Sequence, residues 1–149
     1  MKQIALNIIE TAFAGKLDKG GEPYIGHLKR VSENAKKYFS HDTPVDLEKL
    51  EVCGLLHDLI EDCPEWSLNH LYCIFKSEQI SFIINLLTHQ KDISYEDYIR
   101  KLKDNPFARA IKLADLEDNM NLLRLKKITD KDLERVKKYH QYYIYLKNN

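Results

Sequence analysis

The spacing of the apolar residues constrains this chain more than any other feature of its sequence. Apolar side chains recur at helical intervals, as in Ile4, Ile8, Ile9, Ala12 and Phe13, while the alternation that is typical of strands is nearly absent. This pattern predicts an all-α fold, a single compact bundle of about seven to eight helices. The expected helices lie near residues 2–15, 24–39, 46–62, 67–75, 78–88, 95–103, 106–124 and 130–147.

Residues that favour helix capping mark the starts of the last three helices. Ser94, Asn105 and Thr129 each stand directly before a helical segment, where a side-chain oxygen accepts a hydrogen bond from an otherwise unpaired backbone amide. Asp97 and Asp132 follow their caps by three residues, which is a carboxylate variant of the capping box.

Charge and composition exclude two classes of partner. Lys plus Arg total 23 and Asp plus Glu total 23 in 149 residues, and this balance does not indicate the basic face that a nucleic-acid polymer needs. No apolar run is long enough to span a bilayer. The three cysteines form no C-x-x-C pair, which is typical of reduced cysteines. We expect a cytoplasmic protein of one domain, residues 1–149, that binds neither nucleic-acid polymers nor membranes.

The segment "GLLHDLIEDC" places four ionisable side chains in an apolar helical run: His57, Asp58, Glu61 and Asp62. Residues four apart share one side of a helix, so His57 is expected over Glu61 and Asp58 over Asp62. On a helix the side chains of His57 and Asp58 point about 100° apart around the helix axis. They can therefore contact a common partner only if it is small and lies between them. Imidazole and carboxylate are good ligands for Mn²⁺, Fe²⁺ or Zn²⁺, although two ligands are too few for a site.

Further ligands are available on two other expected helices. His27 lies one turn into the second helix, and Asp115 lies in the mostly apolar "IKLADLEDNM". A buried carboxylate is costly unless something positive pairs with it. Asn119 follows Asp115 by one turn and offers an uncharged polar contact to a ligand.

Together, His27, His57-Asp58 and Asp115 resemble the H…HD…D pattern of the HD-domain superfamily of metal-dependent phosphohydrolases. More narrowly, "GGEPYIGHLKRV", "GLLHDLIEDC" and "KLADLEDNMNLL" are similar to the three signature blocks of (p)ppGpp 3'-pyrophosphohydrolases of the RelA/SpoT type and their single-domain relatives. The resemblance runs from about residue 4 to residue 124, and it leaves 130–147 as a C-terminal packing helix. It implies an all-α HD-domain helical bundle.

The resemblance also implies a role for each matching residue. His27, His57, Asp58 and Asp115 would hold one divalent metal ion, with Mn²⁺ expected and Fe²⁺, Zn²⁺ or Co²⁺ as alternatives. Such an ion makes hydroxide available near neutral pH and neutralises charge on phosphoryl oxygens.

The remaining matching positions concern the water and the substrate. Glu61 and Asp62 match the acidic pair that orients or deprotonates the attacking water. Lys19, Lys112 and Asn119 would contact a small phosphorylated nucleotide, the expected partner of the protein.

Three positions depart from the family pattern. Asp18 stands where the family usually has an arginine that stacks on guanine, Leu116 where an arginine often follows the third-block aspartate, and Leu28 where a proline often follows the first ligand histidine. The metal-binding and water-activating positions are intact, and the base-reading position is altered.

These observations leave three functions open. The first is hydrolysis of the 3'-pyrophosphate of an alarmone nucleotide. The second keeps the site but acts as a phosphomonoesterase on nucleoside monophosphates or another small phosphate ester. The third is a non-catalytic nucleotide-sensing module. The intact pair Glu61-Asp62 argues against it, because a protein that only binds a phosphate has no need of two acids beside it.

Residues outside the three blocks are assigned to ordinary surface or core roles. Four histidines belong to this group: His41, His70, His89 and His140. Val136, Tyr139, Tyr143 and Leu146 share one face of the last helix and are expected to pack on the core. A helix–helix dimer contact is the alternative use of this face, so a monomer or a homodimer is expected.

Overall fold

The structure is a computed structural model that describes residues 1–40 and 43–148, so the expectation for His41 lies outside the described residues. This part of the chain contains nine α-helices and no β-strand, which confirms the predicted all-α fold. The helices are α1 (Lys2–Ala12), α2 (Tyr24–Asn34), α3 (Pro44–Leu56), α4 (Leu59–Asp62), α5 (Leu68–Phe75), α6 (Glu78–Leu87), α7 (Tyr95–Lys103), α8 (Pro106–Met120) and α9 (Asp130–Lys147). Two 3-10 turns, Ala35–Tyr38 and Leu122–Arg124, extend α2 and follow α8.

The prediction of one continuous helix over 46–62 was wrong, because the chain breaks at His57 and Asp58, between α3 and α4. The His57 Nδ1 atom lies 2.8 Å from the Gly54 carbonyl oxygen. In a continuous helix the Asp58 amide would donate to that same oxygen, so the imidazole competes with the helix for it.

The predicted caps are confirmed. Ser94, Asn105 and Thr129 each accept a backbone N–H with their side chains at the starts of α7, α8 and α9. At Thr129 the backbone N–H also donates to the Asp132 carboxylate at 2.9 Å, which completes a capping box. Local side-chain chemistry therefore fixes where these three helices begin.

The helix α8 lies at the centre of the bundle, where it packs against α2, α3, α6, α7 and α9. Its buried residues include Ala108, Ala110 and Ala114, whose small side chains let neighbouring helices approach closely. Two acids, Asp115 and Asp118, are buried on the same helix. The centre of the fold thus carries charge that its neighbours must balance.

The two ends of the chain cover this core with apolar side chains. In α1 the residues Ile8 and Ile9 are buried as predicted, but Ile4 is 45 % exposed and Ala5 takes the inward position. In α9 Leu146 is buried and Tyr139 and Tyr143 pack against the core, which is consistent with the expected packing role. Among the described residues, none of the helices has the length and apolar character needed to cross a membrane.

Gly54 allows α2 and α3 to lie unusually close together. A Cβ atom added at Gly54 would lie 2.7 Å from Ser32 Cα, a distance that the two backbones cannot accept without moving apart. The Ser32 hydroxyl also donates to the Glu51 carbonyl oxygen at 2.9 Å. This contact fixes the spacing between α2, which carries His27, and α3, which ends directly before His57.

We predict that Gly54→Ala destabilises the protein, even though alanine is the better helix former. Overpacking typically costs about 1–3 kcal/mol, so the thermal midpoint followed by circular dichroism should fall. Gly26→Ala in α2 is the matched control, because its added Cβ would meet only the end of the Arg30 side chain. A Gly54→Ala midpoint equal to or above that of Gly26→Ala would contradict the prediction.

Candidate metal centre

Three separate elements bring four predicted ligands to one place. His27 comes from α2, His57 and Asp58 from the turn after α3, and Asp115 from α8. The Nε2 atom of His57 lies 3.1 Å from Asp58 Oδ2 and 3.7 Å from Asp115 Oδ1. The Nε2 atom of His27 lies 3.7 Å and 3.3 Å from the same two atoms.

The ligand atoms offered by His27, His57 and Asp58 all lie within 4.8 Å of one another. Asp115 faces the same point through its contacts with both imidazoles. The set mixes imidazole nitrogens with carboxylate oxygens, which suits Mn²⁺, Fe²⁺ or Zn²⁺.

Both imidazoles are held in the orientation that metal ligation requires. His57 donates through Nδ1 to the Gly54 carbonyl oxygen, and His27 shares its Nδ1 with Asp118 Oδ2 at 2.7 Å. Each Nε2 atom therefore faces the carboxylates. The His57 Nε2 atom is buried and has no hydrogen-bond partner among the described residues. Buried polar atoms normally have a bonding partner, and a metal ion would supply one for this nitrogen.

Hydrogen bonds also orient the two carboxylates. The Tyr24 hydroxyl donates to Asp58 Oδ2 at 2.6 Å. Lys112 Nζ lies 2.8 Å from Asp115 Oδ2, and the Asn119 amide donates to Asp115 Oδ1 at 2.6 Å. In addition to the imidazoles, Asp58 thus has one fixed donor and Asp115 has two.

The electrostatics of the cluster draw positive charge to it. Burial lowers the pKa of His27, but hydrogen bonds to Asp115, Asp118 and Asp58 outweigh it and raise that pKa to about 11. Burial likewise lowers the pKa of His57, while the nearby negative charges of Asp58 and Asp115 raise it to about 9. Protons and a divalent cation would supply the same balancing charge, so they compete for this site.

The cluster faces a cleft of about 280 Å³ that reaches His27, Asp58, Asp115 and Glu61. The two members of the predicted acidic pair are separated here. Glu61 lines the cleft and accepts the His89 backbone N–H at 3.1 Å. Asp62 instead forms an ion pair with Lys16 at 2.6 Å. The two acids are consecutive residues of α4 and point about 100° apart around its axis, so their surroundings differ.

The three predicted substrate contacts, Lys19, Lys112 and Asn119, all line the same cleft. Lys112 and Asn119 already bond to Asp115, so both also position that carboxylate. Lys19 is exposed and has no ion pair among the described residues. It is therefore the predicted contact most readily available to an incoming anion.

Asp18 lies at the cleft, but its hydrogen bonds stabilise the loop that carries Lys19. Its carboxylate accepts from the backbone amides of Gly20 at 2.8 Å and Glu22 at 3.1 Å, and it pairs with Arg124. Burial raises the pKa of Asp18, but these hydrogen bonds outweigh it and lower the pKa below its ordinary value. Asp18 is a structural anchor of this loop.

Sequence reasoning missed several residues of the site. Asp118 shares its helix with Asp115, three residues later, and this helical spacing in an apolar setting could have identified it. Tyr24 stands inside the first signature block, three residues before His27. His89 was assigned an ordinary role, yet it lines the cleft beside Glu61. Nothing in its local sequence indicates that position.

Residues 24–120, more than half of the chain, match the sequence model of the HD domain. Together with the four-residue cluster, this match defines the class of the protein as a metal-dependent phosphohydrolase. The chain belongs to the HD domain family.

Among solved structures, the chain is similar to a metazoan orthologue of SpoT that is described as hydrolysing ppGpp and playing a role in starvation responses. The two share 19 % sequence identity with a TM-score of 0.74, over 99 % of this chain and 85 % of that chain. At this identity the similarity establishes a common fold. No curated protein matches the sequence.

We predict that Mn²⁺ binding releases protons and tightens as pH rises. Below the raised pKa values of His27 and His57 both imidazoles carry protons, and they must lose them to ligate a metal. Titration calorimetry near neutral pH, in buffers of different ionisation enthalpy, should detect this release. His140→Gln, which changes an exposed histidine outside the cleft, should bind identically. Affinity that stays constant between acidic and alkaline pH would contradict the prediction.

Proposed function

We propose that the protein hydrolyses the 3'-diphosphate of a (p)ppGpp-like alarmone nucleotide and releases pyrophosphate. The observation that supports this most is the placement of the cluster of His27, His57, Asp58 and Asp115 at a cleft that also contains Glu61. A divalent cation held by the four side chains would make hydroxide available near neutral pH and offset charge on the phosphoryl oxygens.

The protein side chains supply the proton transfer and part of the binding. Glu61 is the proposed general base, because it lines the cleft, whereas Asp62 is engaged by Lys16. Asp62 is proposed to act indirectly, by holding the short helix α4 against the loop after α1. Lys19 is the proposed contact for a phosphate group, and Lys112 adds positive charge beside Asp115.

The absence of the family's base-stacking arginine supports a second candidate, a phosphomonoesterase for smaller phosphate esters. Asp18 carries a carboxylate, which has no planar cation to stack on a guanine ring, and its hydrogen bonds hold it to the loop backbone and to Arg124. Tyr95 and Tyr139 line the cleft and could supply aromatic faces in its place. The two candidates share the metal centre and differ in the product released.

A nucleotide screen with product identification tests the proposal. With Mn²⁺, ppGpp should be turned over faster than a 3'-phosphorylated nucleotide or deoxynucleoside monophosphates, and pyrophosphate should be the product. Release of inorganic phosphate from monophosphates, with ppGpp untouched, would favour the second candidate. Tight ppGpp binding with no product in several metals would favour a sensing module and overturn both enzymatic proposals.

We predict that Glu61 and Asp62 differ in their contribution to turnover. On the best substrate of that screen, Glu61→Gln should lower kcat by about 10²–10⁴-fold, the usual contribution of a general base. Asp62→Asn, the matched control, should lose far less, because it removes a partly exposed ion pair with Lys16. Equal losses in the two variants, or a larger loss in Asp62→Asn, would contradict the assignment.

A further inference from the structure

A second buried carboxylate lies behind the candidate metal centre. Asp118 Oδ2 is 2.7 Å from His27 Nδ1 and 2.5 Å from Arg124 Nη1. Arg30 donates through Nε to Oδ1 at 2.7 Å and through Nη2 to Oδ2 at 3.1 Å. Only 6 % of the Asp118 residue is exposed, so these donors replace the water that the carboxylate loses.

The charges around Asp118 keep it ionised. Two guanidinium groups, Arg30 and Arg124, face two carboxylates, Asp118 and Asp18. When a metal ion replaces the Nε2 proton, His27 would keep its Nδ1 proton, held by Asp118, and would direct its Nε2 lone pair at the ion. A charged acceptor behind an imidazole fixes the tautomer and raises the basicity of the ligating nitrogen.

The same guanidinium also ties this carboxylate to the loop before α2. Arg124 bridges Asp118 and Asp18, and Asp18 in turn accepts the Gly20 amide at 2.8 Å. A Cβ atom added at Gly20 would lie 2.6 Å from the Arg124 carbonyl oxygen, so the loop packs directly on the segment that carries Arg124. Arg124 is thereby held in place on Asp118.

We propose that Asp118 is a positioning residue for His27, which selects the tautomer and direction of that imidazole for metal ligation. The inference rests on the metal site of the proposed function. It assigns to Asp118 a role that acts through His27 and involves no contact with the substrate. A carboxylate that served stability alone would have no need to accept the imidazole, since two arginines already satisfy it.

The test compares Asp118→Asn with Glu117→Gln, which removes the same charge from the neighbouring residue of α8. Glu117 accepts the Tyr38 hydroxyl at 2.8 Å on another side of the helix. Mn²⁺ affinity measured by calorimetry should fall about 10–100-fold in Asp118→Asn, and it should stay at the wild-type value in Glu117→Gln. Circular dichroism establishes that both variants are folded.

A spectroscopic readout separates positioning from a merely structural role. In ¹⁵N-histidine-labelled protein with Zn²⁺, His27 should show an Nδ1 proton shifted downfield by the carboxylate, and this resonance should move upfield in Asp118→Asn. A wild-type spectrum without such a proton would overturn the inference even if the variant does not fold. Wild-type Mn²⁺ affinity in a folded Asp118→Asn would overturn it while leaving the proposed function intact. Failure of the wild-type protein to bind either metal would overturn both.

Discussion

Two carboxylates, Asp115 and Asp118, are buried three residues apart on the central helix α8, and cationic side chains from α2, α8 and the segment after α8 balance them. A buried carboxylate without a positive or hydrogen-bonding partner would lower the free energy of unfolding by roughly several kcal/mol, even after its surroundings relax. Lys112 pairs with Asp115, and Arg30 and Arg124 pair with Asp118. His27 contacts both acids and so connects the two halves of this arrangement.

The two acids are used differently because their partners differ. Asp115 turns one oxygen towards the Nε2 atoms of His27 and His57, and it keeps the other for Lys112. Both carboxylate oxygens of Asp118 already accept hydrogen bonds from protein donors, so neither is available to ligate a metal ion. The cluster of ligands is therefore supported from behind by a carboxylate that is already neutralised.

A short break between α3 and α4 positions three acids at and beside the cleft. The His57 imidazole takes the Gly54 carbonyl oxygen, and the helix restarts only at Leu59. This break directs Asp58 to the imidazoles, Glu61 to the cleft and Asp62 to Lys16. Glu61 and Asp62 are consecutive residues of α4 and lie about 100° apart around its axis. Their side chains therefore reach different partners, which separates a candidate base from a structural ion pair.

The sequence alone determined the helical class, the three capped helix starts and the four candidate ligands, because periodicity, capping and motif spacing are local properties of the chain. Only the tertiary structure decided what surrounds those ligands. Asp118 orients His27 across 91 positions of sequence, Asp18 anchors a loop through Arg124, and His89 meets Glu61 from a different helix end. Such pairings depend on how α2 and α8 pack, and packing is set by the burial of the whole core, which no local pattern encodes.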